Sequence, residues 1–232
     1  MLYMLLVFIF AYLVSSIFYG FKTVPQRALG FFRAYVKFIK PFVGLKISVL
    51  GNVPNKPVLL CANHCSYIDP LLICHNVKAR AVAKLEISKW PIMGWGAKLG
   101  GVLFVKRGSI KSGVAITEQI VTTIKNGESV LIFPEGTTNT LPQTIPFKKG
   151  GFAKAAQHNL PVVPVSITYS HEDDAWGDQT MFNHFIGCFG KRHVKVKVHY
   201  GEPVINSDTK QLLNACRDAI DAKLLELKSA SW

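Results

Sequence analysis

The segment NHCSYIDP, Asn63 to Pro70, sets an imidazole and a carboxylate five residues apart, directly after the apolar run PVLLCA. A carboxylate on one ring nitrogen fixes the tautomer of a histidine and stabilises its imidazolium. The other nitrogen is then free to take a proton from a hydroxyl. Pro70 explains the spacing. Proline suits the first position of a helix and pushes the residue before it out of the helical region. The pattern predicts a strand-to-helix loop from His64 to Asp69, with Asp69 as the helix N-cap and a carboxylate able to fold back on the imidazole. A plainer arrangement also fits, in which Asp69 only caps the helix and His64 only ends a strand. His64 and Asp69 are the candidate catalytic pair.

Three other segments supply groups of a different kind. VLFVKRGS closes an apolar run with Lys106 and Arg107. IFPEGTTNT closes another with Glu135, Gly136 and Thr137. IPFKKGG then opens a helical pattern with Lys148, Lys149 and two glycines. Cations, small residues and backbone N–H groups at such positions suit a phosphate. Singly, Arg107 also fits a surface arginine and PEGT a plain turn; their order and shared placement make Arg107, Glu135, Gly136, Thr137, Lys148 and Lys149 the candidate substrate-binding residues.

Other chemistry is poorly supported. Cys61, His64 and Cys65 match no standard zinc spacing and no second pair follows, so no metal is expected. The five cysteines form no CxxC pair, which suits a reducing compartment better than a disulfide framework. No G-x-S-x-G elbow is present, which argues against a lipase-like hydrolase. Cys65 and Ser66 adjoin the histidine without an evident role, so an acyl-enzyme is not expected. A non-catalytic lipid-binding adaptor is the remaining alternative class.

The elements that must position these residues alternate along the chain. Strands are expected at 56–62, 80–84 and 101–107, in SVLIFPEG, and in PVVPVSITYS. Helices are expected in PLLICHNV, in SKWPIMGWGAKLG, from Ser109 to Asn126, and in GGFAKAAQHN. In the Ser109–Asn126 helix, Val114, Thr117, Ile120, Val121 and Ile124 share the predicted inner face, and Gly127 supplies the stop. VKVKVHY alternates as a half-exposed strand does. Asp208 is placed to cap a last helix whose apolar stripe is Leu213, Cys216, Ile220, Leu224 and Leu227. Residues 170 to 192 break the pattern. The prediction is an α/β domain, with a largely parallel central sheet flanked by helices and an N-terminal membrane-associated helical segment. Sites in such sheets lie at the carboxyl ends of strands, where the candidate residues fall.

With 232 residues and 49% hydrophobic content, the chain can bury one sizeable core. The expected division is residues 1–45 as membrane-inserted and interfacial helices and 46–232 as the α/β domain. The formal net charge of +13 favours an anionic partner. Lys22, Arg27, Arg33, Lys37, Lys40, Lys46 and Lys56 all precede the first acidic residue, Asp69, and they interrupt apolar sequence. That favours a membrane surface over nucleic acid, for which no zinc-finger or RNP motif exists. Leu2 to Phe21 is an uncharged run of membrane-spanning length. After it, Arg33, Lys37 and Lys40 share one helix face, and Phe31, Tyr35, Phe38 and Phe42 another. This reads as an interfacial helix, or else as a core-packing helix with a basic edge. The positive-inside rule puts the bulk of the chain on the cytoplasmic face, at the inner membrane in a bacterium.

In the order NHCSYID, LFVKR, FPEGT and LPVVPV, with FKKG between the last two, the blocks from Asn63 to Val165 resemble those of the glycerolipid acyltransferases. This is the group that contains lysophosphatidic acid acyltransferase. The resemblance implies transfer of a fatty acyl group from acyl-CoA or acyl-carrier protein, as co-substrate without other cofactor, to a lysophospholipid acceptor. On that resemblance the expected acceptor group is the sn-2 hydroxyl of 1-acylglycerol-3-phosphate and the expected product phosphatidic acid. Close relatives use lyso-ornithine lipid, glycerol-3-phosphate or another lysophospholipid instead. It further implies that His64 is the general base, oriented by Asp69. Arg107, Glu135, Gly136 and Lys148 would belong to the headgroup site, with Lys149 nearby. One departure stands out: many members follow FPEGT with an arginine, where this chain has Thr138 and Asn139.

Overall fold

Leu59, Leu60, Cys61 and Ala62 are all fully buried, as an uninterrupted apolar run predicts for a strand covered on both faces. They form the second strand of a computed structural model that describes residues 44–90, 93–177 and 193–231, with positions 33, 37, 183 and 187. Its elements are β1 (Leu45–Gly51), β2 (Leu59–Ala62), α1 (Asp69–Asn76), β3 (Ala79–Lys84), α2 (Met93–Leu99), β4 (Leu103–Val105), α3 (Ile110–Lys125), β5 (Ser129–Ile132), α4 (Gly150–Gln157), β6 (Val162–Tyr169), β7 (Val194–Tyr200) and α5 (Thr209–Ser229). Short 3₁₀ turns cover Leu85–Lys89 and Glu172–Asp174.

The strands form one seven-stranded sheet in the order β1-β7-β6-β2-β5-β3-β4. Among the described strands only the β6–β7 pairing is antiparallel. From β6 to β4 every neighbour runs parallel, so these five strands end at the same edge. The expected α/β architecture with a mostly parallel sheet is therefore observed.

Period-two alternation divides the core between two layers. Leu60 and Ala62 face α1, packing with Leu72, Ile73, Val163 and Val196. Leu59 and Cys61 face the opposite layer, with Ile120 of α3, Phe152 of α4 and Leu212, Cys216 and Ile220 of α5. Each fully buried Leu or Phe contributes about 1.5–3 kcal/mol relative to exposure. The helices follow from the same patterning. Ser109 caps α3 by accepting the Ser112 amide at 3.2 Å. Asp208 caps α5 by accepting the Gln211 amide at 2.7 Å. Gly127, at φ +86°, ends α3 in a left-handed conformation that glycine adopts without strain.

Three expectations are corrected. The inner face of α3 is Ile116, Ile120, Val121 and Ile124, whereas Val114 is 56% exposed. β7 is mostly buried: Lys197, read as a solvent-facing position, is 8% exposed. Its Nζ donates to the carbonyls of Leu227, Ala230 and Ser231, the open end of α5. Asp69 does not cap α1. Ile68 occupies the cap position, no side chain bonds there, and Asp69 is the first helical residue.

The predicted membrane segment Leu2–Phe21 lies outside the described residues, as does most of the amphipathic stretch after it. Among the described residues no helix is long and apolar enough to cross a membrane. Arg33 is helical, as expected, but its guanidinium donates to the carbonyls of His75 and Asn76 at 3.2 and 3.3 Å. It satisfies the last turn of α1, where a cation also suits the helix dipole. This cation is used by the protein itself.

Candidate active site

The end of β2 is fixed by a side chain that imitates backbone. Asn63 accepts the Ile167 amide at 2.7 Å and donates to the Ile167 carbonyl at 3.0 Å. It thereby extends the β2–β6 ladder by one residue beyond Ala62, and it is 4% exposed. His64 follows at once. Its amide donates to Glu135 Oε1 at 2.9 Å, and its carbonyl accepts the Asn139 amide at 2.6 Å. Its ring lies on Phe133, with centroids 4.0 Å apart and planes at 23°.

The loop folds back as the spacing predicted. His64 Nδ1 lies 2.9 Å from Asp69 Oδ2, and the Asp69 side chain is wholly buried. The same oxygen accepts the amides of Cys65 and Ser66 at 2.7 and 2.8 Å. Asp69 Oδ1 accepts the Tyr169 hydroxyl at 2.6 Å. A buried carboxylate needs donors on both oxygens, and this one has four. The His64 side chain keeps 18% exposure. With Nδ1 engaged by the carboxylate, Nε2 is the nitrogen available to a substrate hydroxyl.

The neighbouring thiol is ill suited to act as a nucleophile. Burial pushes Cys65 well above the usual thiol value, and the charges of Asp69 and Glu135 push the same way. It therefore stays protonated. Ser66 is completely buried.

Glu135, expected at the headgroup site, is turned inward. It is 5% exposed. Oε1 holds the His64 amide, while Oε2 accepts Asn139 Nδ2 at 3.0 Å and the Ile145 amide at 3.2 Å. Burial raises its pKa, and these hydrogen bonds oppose the rise. Gly136 sits at φ +73°, and a Cβ there would run into Lys148 Nζ, with Cε only 2.9 Å away. The lysine is thus laid across the glycine. Its own amide donates to the Pro134 carbonyl at 2.9 Å.

Thr137, Lys149 and Arg107 are exposed at the same edge of the sheet. Lys149 occupies the N-cap position of α4 without a side-chain cap bond. Burial lowers the Arg107 pKa, and Glu86 opposes the change. Lys84, the last residue of β3, was not singled out from sequence. Burial lowers its pKa most, then the charge of Arg107, with Lys148 adding to the effect and Glu86 opposing it. Lys84, Arg107 and Lys148 therefore share one field at the carboxyl ends of β3, β4 and β5. Its position as the cationic end of an interior parallel strand was the available signal. Asn139 was noted only as the neighbour of Thr138, which stands where many members have an arginine. It is the residue that ties Glu135 to the loop after β5: its side-chain oxygen accepts the Leu141 amide and its nitrogen also donates to the Gln143 carbonyl.

The arrangement offers a braced histidine for proton transfer next to a cationic field for an anion. Residues 45–168, which contain every one of these groups except Tyr169, match the family model described as Acyltransferase. The chain is 31% identical over 165 residues to the lyso-ornithine lipid O-acyltransferase of Pseudomonas aeruginosa, covering 68% of this chain and 64% of that protein. It is 30% identical over 185 residues to the chloroplastic 1-acyl-sn-glycerol-3-phosphate acyltransferase BAT2 of Brassica napus, covering 78% and 51%. The chain thus spans about half to two thirds of the length of these relatives. Its fold is also that of the crystal structure of the 1-acyl-sn-glycerophosphate (LPA) acyltransferase PlsC from Thermotoga maritima. The TM-score is 0.67 at 24% identity, over 98% of this chain and 97% of that one. A family match running from the first strand into the sixth, over the residues that carry the histidine, the aspartate and the cations, places the chain in the acyltransferase family.

Proposed function

We propose that this chain is a membrane-bound 1-acylglycerol-3-phosphate O-acyltransferase. It moves a fatty acyl group from acyl-CoA or acyl-carrier protein to the sn-2 hydroxyl and forms phosphatidic acid. The observation that carries the reading is the His64–Asp69 contact at 2.9 Å, set at the sheet edge that also holds Lys84, Arg107 and Lys148. His64 Nε2 takes the proton of the hydroxyl as its oxygen attacks the thioester carbonyl. The tetrahedral intermediate collapses with loss of the thiolate, which takes up that proton from the imidazolium and leaves as the thiol. A thioester is already activated, so the protein need only remove one proton and align two substrates. General base catalysis contributes roughly 10²–10⁴-fold. Alignment contributes up to about 7–11 kcal/mol. The cations receive the acceptor phosphate. The uncharged run Leu2–Phe21 anchors the chain at the cytoplasmic face, so that an amphiphilic acceptor reaches His64 from the bilayer.

A second acceptor class has its own support. The Glu86 carboxylate acts on both Lys84 and Arg107. A carboxylate among cations suits a headgroup that carries both signs, such as that of a lyso-aminolipid, and one relative is named for a lyso-ornithine lipid.

An acceptor panel tests both readings: purified protein, labelled acyl-CoA or acyl-carrier protein, and lysophosphatidic acid, lyso-ornithine lipid or glycerol-3-phosphate. The proposal expects fastest transfer to lysophosphatidic acid and a loss of roughly 10²-fold or more in turnover for His64→Ala. Transfer confined to lyso-ornithine lipid favours the second reading. No transfer to any acceptor, or rapid release of free fatty acid without one, counts against both.

A further inference from the structure

The Asp69 carboxylate is served from two directions. Its Oδ2 is bound by groups of its own loop, namely His64 Nδ1 and the amides of Cys65 and Ser66. Its Oδ1 is bound by the Tyr169 hydroxyl, one hundred residues later, at 2.6 Å. Tyr169 ends β6, the strand whose Ile167 grips Asn63 at the start of the same loop. It is registered against Val196 of β7, so its backbone belongs to the interior of the sheet. Its side chain packs against the core layer beneath α1. Burial, followed by the charge of Asp69, keeps the phenol well above its ordinary pKa. It therefore acts as a neutral donor, and its O–H points to the one carboxylate oxygen that the loop does not use.

We propose that Tyr169 is a positioning residue for the catalytic pair: its hydroxyl locks the Asp69 carboxylate so that Oδ2 stays on His64 Nδ1 and Nε2 stays free for the acceptor hydroxyl. The proposal rests on His64 as the general base. Two bonds at Oδ2 come from backbone amides of a short loop, which move with that loop. The phenol alone refers the carboxylate to the sheet. Without it the carboxyl group can tilt with the loop, drawing Oδ2 off the imidazole while the two loop amides follow it. The imidazole then loses its preference for the tautomer with the proton on Nδ1. Tyr169 acts through the Asp69 carboxylate, so its effect should fall on turnover and leave substrate affinity alone.

The test is Tyr169→Phe in the full chain, which removes one oxygen and keeps the packed ring. Turnover should fall about five- to tenfold, the range of one lost hydrogen bond, with KM for acceptor and thioester unchanged. In ¹⁵N-histidine NMR spectra, the His64 ring should be mainly the Nδ1–H tautomer in the unaltered protein and a mixture of tautomers in Tyr169→Phe. Adding Tyr169→Phe to Asp69→Asn should cost much less than it does alone, because its route of action is already lost. A merely structural role predicts an equal loss in both backgrounds and no change of tautomer. Unchanged turnover together with an unchanged tautomer overturns the proposal. If the unaltered protein transfers no acyl group, the proposed function fails, and the tautomer measurement still decides the role of Tyr169.

Discussion

Glu135 Oε1 accepts the backbone amide of His64 at 2.9 Å, so the carboxylate of the FPEG segment holds the His64–Asp69 loop by its main chain. Its other oxygen holds Asn139 and Ile145. Two strand-end loops are thereby joined through one buried side chain. This also clarifies a difficulty in treating Glu135 as a headgroup ligand, since a carboxylate facing a phosphate would repel it.

Glu135→Gln replaces one acceptor oxygen with an NH₂ group. Whichever way the amide is turned, it presents a donor to a donor, at His64 or at Asn139 and Ile145. Leaving buried donors unsatisfied should cost about 1–3 kcal/mol of stability. Urea denaturation should show this as a lower midpoint, and turnover should fall with it. An unchanged midpoint would show that the clamp contributes nothing to folding.

Gly136→Ala should act on the acceptor. A left-handed conformation costs a residue with a Cβ about 1–2 kcal/mol. The new methyl must also displace Lys148, whose Cε would lie 2.9 Å from it. We expect KM for an anionic acceptor to rise about fivefold or more, the equivalent of about 1 kcal/mol. KM for the thioester should change little. Steady-state kinetics with each substrate varied in turn make the check, and equal changes in both constants would contradict this role for Lys148.

Much of the site was legible because its parts are local. Pro70 marked the start of α1 to within one residue, and that put His64 and Asp69 at the two ends of one short loop. The apolar runs gave β2, β5 and β6 for the same reason that they are buried on both faces. The long-range partners were not legible. Tyr169 reaches Asp69 only because β6 neighbours β2, and strand order is not written in hydropathy. Lys197 misled in the opposite sense. Alternation marked it as solvent-facing, whereas its long stem carries the ammonium to the end of α5. Asn139 drew notice only as the neighbour of Thr138, where a cation is missing, because its use depends on Glu135 being turned inward.

Lys197→Met tests that buried lysine directly. Methionine fills much of the stem's volume but leaves the carbonyls of Leu227, Ala230 and Ser231 without this donor. Stability should fall by about 1–3 kcal/mol, with faster amide exchange in the last turn of α5. Turnover at a temperature well below unfolding should be unaltered, since these bonds of Lys197 serve the last turn of α5. A full loss of activity in a folded variant would place Lys197 in the catalytic machinery instead.

Lys84 gives the protein a pH dependence whose sign can be worked out. Burial and the charges of Arg107 and Lys148 lower its pKa, so it loses its proton at a lower pH than an ordinary lysine. An anionic headgroup binds best to the protonated form. KM for a phosphate-bearing acceptor should therefore climb as pH rises, starting below the usual lysine range. A bound anion favours the ammonium and opposes the shift, so kcat should respond less than kcat/KM over the same interval. Lys84→Arg keeps its charge throughout and should move the climb to higher pH. Lys84→Met should show a raised acceptor KM already at neutral pH and no climb in that window. Acceptor KM measured against pH for the three proteins makes the comparison. If Lys84→Met leaves acceptor KM unchanged at neutral pH, the headgroup is held by Arg107 and Lys148 without the third cation.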